Sequence, residues 1–300
     1  MFTQVPALDA VATKLGSFID DAAPSTDIQS AKQAISNVAL PFLKSRFPDK
    51  TASTATTQKP AIPASPVILT KWATSTITLA KTLPPARLFP LVDMWRLATL
   101  DEFVATWLAA NPSPDPQQVL LTMALELLDS PDPAQKSSAR NYLLTVLRLI
   151  ANGFAHVALT RALLARGGKR EVVTRAVVAT LLHEDAAVRT AAASLAFNIA
   201  AALQQSRVEQ LRGVTTGKTP LEVEEDEEWE VELVCAVLEA ISNEMQSEEV
   251  GGCFDSTYVE SLMLTPGHCS SPACRGARVL ASSVSFVRGS TGLHAGSATV

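Results

Sequence analysis

VILTKWATSTITLAKTLPPARLFPLVDMWRLATLDEFVATWLAANPSPDPQQVLLTMALELLDSPDP (67–133) is the stretch that decides the fold. Its apolar residues recur at the three- and four-residue steps of an α-helix, and the run is punctuated by Pro84-Pro85, by NPSPDP at 111–116 and by SPDP at 130–133. Proline lacks the amide hydrogen that a helix interior needs and clashes with the preceding turn. The punctuation therefore cuts the stretch into helices over VILTKWATSTITLAKTL, LFPLVDMWRLATL, EFVATWLAAN and QQVLLTMALELLD, joined by short turns. Toward the C-terminus the pattern continues in SSARNYLLTVLRLIANGFAH, ALTRALLAR, EVVTRAVVATLLHE and AAVRTAAASLAFNIAAALQQ. A loop is expected over 206–226, then a last helix over 228–246. Helices of roughly 10–18 residues on short turns bury their apolar sides only against neighbours, which is the pattern of an α-solenoid. No tetratricopeptide or ankyrin period is present, so the expected fold is an all-α, armadillo-like helical repeat array.

Upstream, 7–20 and 26–44 carry helical spacing, with Ser25 or Thr26 as N-cap and Pro24 at the break. The segment 48–66 turns to Thr, Ser, Ala and Lys with prolines at 48, 60, 63 and 66, and reads as a flexible linker. The expected organisation is a short helical segment at 1–47, the linker at 48–66, the helical array at 67–249 and a disordered tail at 250–300. Seven of the thirteen glycines fall from Gly251 onward, where no helical period survives.

Composition agrees with the helical reading. Of the 300 residues 47% are hydrophobic and only 5% aromatic, so alanine and leucine supply the apolar mass and favour closely packed helices. A net charge of −5 argues against a general nucleic-acid binder, which needs a domain-scale basic excess. The charge is polarised, however: Lys136 to Lys218 holds twelve Lys/Arg against four Asp/Glu, a balance of +8, and Leu221 to Glu232 holds eight acids and no base. No signal-peptide pattern opens the chain and no uninterrupted run of about 18 apolar residues marks a membrane span. The expectation is a soluble protein, cytoplasmic or nuclear, that binds neither nucleic acid nor membrane.

Catalytic constellations are not legible. No GxSxG, Walker A, dinucleotide-binding glycine fingerprint or HExxH occurs. Cys235 sits in an apolar helical stripe and reads as a small buried hydrophobe, while His156 and His183 read as helix-end or surface residues. His268 and Cys269 with Cys253 and Cys274 lack the spacing of a zinc knuckle, so no metal or other cofactor is expected. EVEEDEEWEVE at 222–232 lacks the ligand alternation of a calcium loop and reads as a solvated approach to a helix N-terminus.

The helix from Arg140 to His156 is different. Leu143, Leu147, Ile150 and Phe154 form its buried stripe, while Asn141, Thr145, Arg148 and Asn152 recur on the opposite side as one exposed strip. Ser194 and Asn198 lie one turn apart on a later apolar helix. Polar strips on successive inner helices of an armadillo stack line a concave groove, where asparagines hold an extended peptide backbone. The alternative is that they only bridge neighbouring helix ends. Arg140, Arg148, Arg161, Lys169, Arg170, Arg175 and Arg189 add positive charge, which favours an acidic or phosphorylated partner if several converge.

Three segments together, LPPARLFPLVDMWRLATLD (83–101), RNYLLTVLRLIANGFAH (140–156) and VRTAAASLAFNIAAAL (188–203), resemble the PUL domain. That domain occurs at the C-terminus of the phospholipase-activating-protein homologues of the ubiquitin system and, in fungi, in fusions with a PPPDE-type peptidase and a thioredoxin-like domain. The resemblance covers roughly 66–249 and implies a bent array of armadillo-like repeats. It also implies a non-catalytic adaptor whose basic groove docks the acidic C-terminal tail of the valosin-containing AAA+ ATPase, with ubiquitin-system proteins as further partners. On the matching segments, Arg148, Asn152, Arg189 and Asn198 are the positions expected to face that groove. Two departures stand out: the acidic stretch at 221–232 is unusual, and the expected final helices are missing after Glu249. The alternatives are a regulatory domain separated from a peptidase or thioredoxin-like fusion, and a general helical scaffold.

Overall fold

Serine or aspartate followed by proline opens three helices of this chain. In the computed structural model, which describes residues 1–22, 25–48, 64–110, 112–166, 168–213 and 228–251, Ser65, Asp115 and Asp132 are N-caps with proline in the first helical position. Their side-chain oxygens accept from Val67 N at 3.2 Å, from Gln117 N and Gln118 N at 3.0 and 3.1 Å, and from Ala134 N at 2.9 Å. Proline suits that position because its missing N–H would have been unpaired there anyway. The prolines that break one helix thus begin the next.

Every regular element among the described residues is helical. The order is α1 (Leu8–Asp20), α2 (Thr26–Ala34), a π-helical turn (Ile35–Ala39), α3 (Leu40–Arg46), α4 (Pro66–Thr82), α5 (Pro85–Ala98), α6 (Glu102–Ala109) and α7 (Pro116–Asp129). It continues with α8 (Pro133–Ser138), α9 (Arg140–Gly153), α10 (Val157–Leu164), α11 (Arg170–Leu181), α12 (Ala186–Gly213) and α13 (Glu228–Gly251). The short α8 falls where only a turn was expected. α12 runs on through Ser206–Gly213, where a loop was expected. The rest of that loop, Pro24, most of the proline-rich linker and the tail from 252 lie outside the described residues.

The described residues divide into two compact units, 1–195 with 228–241 and 196–213 with 242–251. In the first unit α1 packs on α5 and α2 on α4, so the N-terminal helices share a core with the array on the far side of the proline-rich segment. The centre of that core is α5 against α9. Trp95 of α5 stacks on Trp72 of α4 at 4.0 Å and 17°, and Trp107 of α6 continues the stack at 6.4 Å. The Trp95 indole donates to Thr76 Oγ1 at 2.8 Å, satisfying the polar atom of a fully buried ring. Tyr142 of α9 donates its hydroxyl to Leu120 O at 2.7 Å, tying α9 to α7. Burial and Glu126 push that phenol up, so it stays a donor.

The chain bends by 118° between α9 and α10. Gly153 permits this: a Cβ there would sit 2.8 Å from Leu163 Cδ1 and 3.3 Å from Leu159 Cδ2, so the two helices meet through a missing side chain. Over Ala186–Glu209 α12 is long and, on average, apolar enough to cross a membrane, although Arg189, Thr190, Ser194 and Asn198 interrupt any continuous apolar run. Its Val188, Ala191, Ala192 and Leu195 are buried in protein, as in the core helix of a repeat array.

Candidate peptide-docking site

α9 carries the strip expected to be exposed, and the structure covers most of it. Asn141 is exposed, but Thr145 is buried and Asn152 is fully buried. The covering element is the chain's own non-helical start, ahead of α1. Asn152 Oδ1 accepts from Phe2 N at 2.8 Å, and Asn152 Nδ2 donates to Phe2 O and to Arg96 O, both at 3.1 Å. These partners fix the amide orientation: one asparagine reads both the donor and the acceptor of a single peptide residue.

Arg96 of α5 works beside it. Its guanidinium donates to Phe2 O and, at 2.9 Å, to Gln4 O, and pairs with Asp93 at 2.5 Å. Helical spacing alone gives Arg96 no role. The signal was there: a single cation in MWRLA, flanked by Trp95 and Leu97, can be buried only if several acceptors meet it. Together Arg96 and Asn152 hold Phe2–Gln4 by its main chain, by the side-chain-to-backbone mechanism expected of a peptide groove.

Arg148 sits one turn earlier on α9, half-buried, with its guanidinium 5.1 Å from the centre of the Phe2 ring. Its Nε is buried without a hydrogen-bond partner. Burial is the main cause that lowers its pKa, with Arg96 and Arg140 adding to it, and Asp93 opposing. The opposing carboxylate is already paired with Arg96. Arg148 is therefore a cation whose surroundings hold more positive than negative charge, and an incoming anion would relieve it.

The other basic residues mostly have local duties. Arg140 pairs with Asp185 at 2.5 Å, and that bond holds the Asp185 carboxyl below the usual carboxylate range. Asp185 also caps α12, accepting from Val188 N at 3.1 Å. Lys169 is buried on Asp115 at 2.7 Å and Gln117 at 3.2 Å. Arg170 lies 5.3 Å from the Trp229 ring centre, Arg175 pairs with Asp129 at 2.5 Å, and Arg161 is exposed. Arg189 donates to the carbonyls of His183 and Glu184 at 2.9 and 2.8 Å, closing the turn before α12. Asn198 belongs to the second compact unit. Of the four expected groove positions, then, Arg148 and Asn152 share one partner, Phe2, while Arg189 stands at a helix start.

His156 and His183 behave as end-of-helix residues. His183 Nδ1 accepts from Asp185 N at 3.0 Å, and burial pushes its pKa down. His156 is the N-cap residue of α10 without a side-chain cap bond, and its Nε2 is buried with no partner. Cys235 corrects the sequence reading: it is exposed, because the buried side of α13 runs through Leu233, Ala236 and Ala240. Among the described residues no three His, Cys, Asp or Glu side chains converge as a metal-binding group; His268, Cys253, Cys269 and Cys274 lie outside them. What the site offers is main-chain recognition plus an uncompensated cation, the chemistry of peptide docking.

Comparison with known proteins gives no curated protein and no solved structure that matches the chain. The family model of the PUL domain matches residues 1–251, from the first helices to the end of α13 and so well upstream of the three segments that carried the resemblance. The chain belongs to the PUL domain family.

Proposed function

We propose that this chain is a non-catalytic adaptor that docks the acidic C-terminal tail of a valosin-containing AAA+ ATPase at Arg148. PUL is a protein-interaction family, and the tail-binding role is the one its resemblance implies. The observation that carries the reading is Arg148: half-buried, crowded by Arg96 and Arg140, with the carboxylate that offsets it already engaged. An acidic side chain or terminal carboxylate supplies the missing charge through charge-assisted hydrogen bonds. Asn152 serves the site from beneath by holding Phe2 in place, and Arg189 is a secondary position in the proposal. The charge of the wider stretch, +8 over 136–218, would steer an acidic tail toward this part of the chain.

Calorimetric titration of the full chain with the ATPase tail peptide, at low and moderate salt, tests the proposal. Binding that weakens as salt rises, and about tenfold or more in Arg148→Ala, is the expected result. No heat at either salt concentration would sink it. Circular dichroism of Arg148→Ala should be unchanged, since a half-buried side chain without an ion pair holds little of the fold.

A further inference from the structure

The segment Phe2–Gln4 is held by groups that every polypeptide has. Phe2 gives its N–H to Asn152 Oδ1 at 2.8 Å and its carbonyl to Asn152 Nδ2 and the Arg96 guanidinium, and the Gln4 carbonyl accepts a second Arg96 N–H at 2.9 Å. The Phe2 ring, half-buried, adds a side-chain contact, with its centre 5.1 Å from the Arg148 guanidinium. No residue from Met1 to Ala7 is buried; the first that is, Leu8, opens α1. Little apolar burial therefore anchors this segment, and its hold is main-chain hydrogen bonding plus one ring.

The receiving side is built differently. Asn152 is fully buried and Arg96 is 5% exposed, and a buried amide or guanidinium is costly unless its hydrogen bonds are made. Asp93 takes one Arg96 N–H, and the Arg96 carbonyl takes one from Asn152, which fixes both side chains. What remains is a fork for one N–H and for the carbonyls of residues two apart, the edge that an extended chain presents. In recognition of this kind the main-chain bonds supply the hold and a side-chain contact supplies the choice. Here the choice is an aromatic ring beside Arg148. We infer that Arg96 and Asn152 form a main-chain-reading peptide subsite that Phe2–Gln4 fills in cis, and that its ligand in trans is an extended segment of a partner protein with an aromatic residue at the position of Phe2. This subsite rests on no feature of the ATPase tail and its test contains none, so either reading can fail alone.

The test uses the full chain carrying Phe2→Pro, which loses the N–H and the ring together and so weakens the cis ligand. The probe is a peptide of residues 1–7, MFTQVPA, labelled at its C-terminal end. By fluorescence anisotropy it should bind the Phe2→Pro chain about tenfold or more tightly than the native chain, whose own segment competes at an effective concentration on the order of millimolar. Phe2→Pro/Asn152→Ala should lose that binding, and a probe with proline in place of its phenylalanine should bind about tenfold more weakly. Circular dichroism and the denaturant midpoint verify that the variants are folded. If the Asn152 variant loses its fold, Phe2→Pro/Arg148→Ala replaces it, with the probe bound severalfold more weakly. Absence of binding by the folded Phe2→Pro chain at roughly millimolar probe overturns the inference. So does equal binding by the native and Phe2→Pro chains, and so does binding that Asn152→Ala or, in its place, Arg148→Ala leaves intact. A concentration-dependent dimer of the native chain that Phe2→Pro abolishes also overturns it, since a second copy would then be the ligand in trans.

Discussion

α9 and α13 start from similar material and end in opposite situations. Each is an apolar helix whose hydrophobic residues exceed one face. In α9 the apolar side, Leu143, Leu147 and Ile150, is covered by the array and Asn152 by Phe2, while Arg148 stays half-buried beside the Phe2 ring. In α13 one side is covered and the other is left to solvent. The difference lies in position, not in pattern. α9 is at the centre, with α5 and α7 on it, and the start of the chain folds over its polar strip. A helix at the centre of the core is specified by what surrounds it, whereas α13 keeps Val231, Val234 and Leu238 exposed.

The comparison predicts a graded set of responses. Trp95→Ala removes the middle ring of the stack and the partner of Thr76, and should cost about 3–5 kcal/mol, read as a lowered denaturant midpoint. A drop below about 1 kcal/mol would mean that α5 is not the core its burial indicates. Gly153→Ala should cost roughly 1–3 kcal/mol, because Leu163 and Leu159 must move to admit the methyl group. If it is neutral, the approach of α10 to α9 is looser than the geometry at that glycine.

Asn152→Ala should cost about 1–3 kcal/mol by stranding the Arg96 carbonyl, and should selectively speed hydrogen exchange at Phe2. Unchanged exchange at Phe2 would show that the segment is held by Arg96 alone. A smaller effect is expected from pH. Burial holds the His183 pKa below its ordinary 6.5, so the folded chain binds that proton more weakly than the unfolded chain. The contribution is fully present above 6.5 and declines as pH falls through that value. His183→Asn, which keeps an acceptor for the Asp185 N–H, should flatten that part of the stability profile; an unchanged slope assigns it elsewhere. At the far end of the scale, Leu238→Ala on the open side of α13 should stay within about 0.5 kcal/mol of the native chain. Leu147→Ala on α9 should cost about 2–5 kcal/mol, and equal losses at the two positions would erase the contrast between the helices.

Much of the fold was legible because its signals are local. The caps at Ser65, Asp115 and Asp132, the prolines after them and the three-four apolar spacing act within a single turn, so they mark helices without reference to the rest of the chain. The site was legible only in part. Arg148 and Asn152 stood out as polar residues on an apolar helix, yet Asn152 holds Phe2 at a sequence separation of 150 residues. No spacing rule reaches that far. The same holds for Arg96, whose main-chain acceptors at Phe2 and Gln4 lie on the other side of the proline-rich segment. The reading of Cys235 as buried failed because α13 is apolar on two sides, and periodicity alone does not say which one meets the core.

The sequence by itself thus determined that this chain is helical, where most of its helices begin, and that its cations are concentrated between 136 and 218. Capping, proline geometry and charge count are properties of neighbouring residues. Tertiary structure alone decided that the start of the chain lies on Arg96, Asn152 and Arg148, and that Leu233, Ala236 and Ala240 of α13 are buried while Val231, Val234 and Leu238 are exposed. Both depend on which surfaces meet once the helices pack, because burial is a relation between distant segments rather than a property of either.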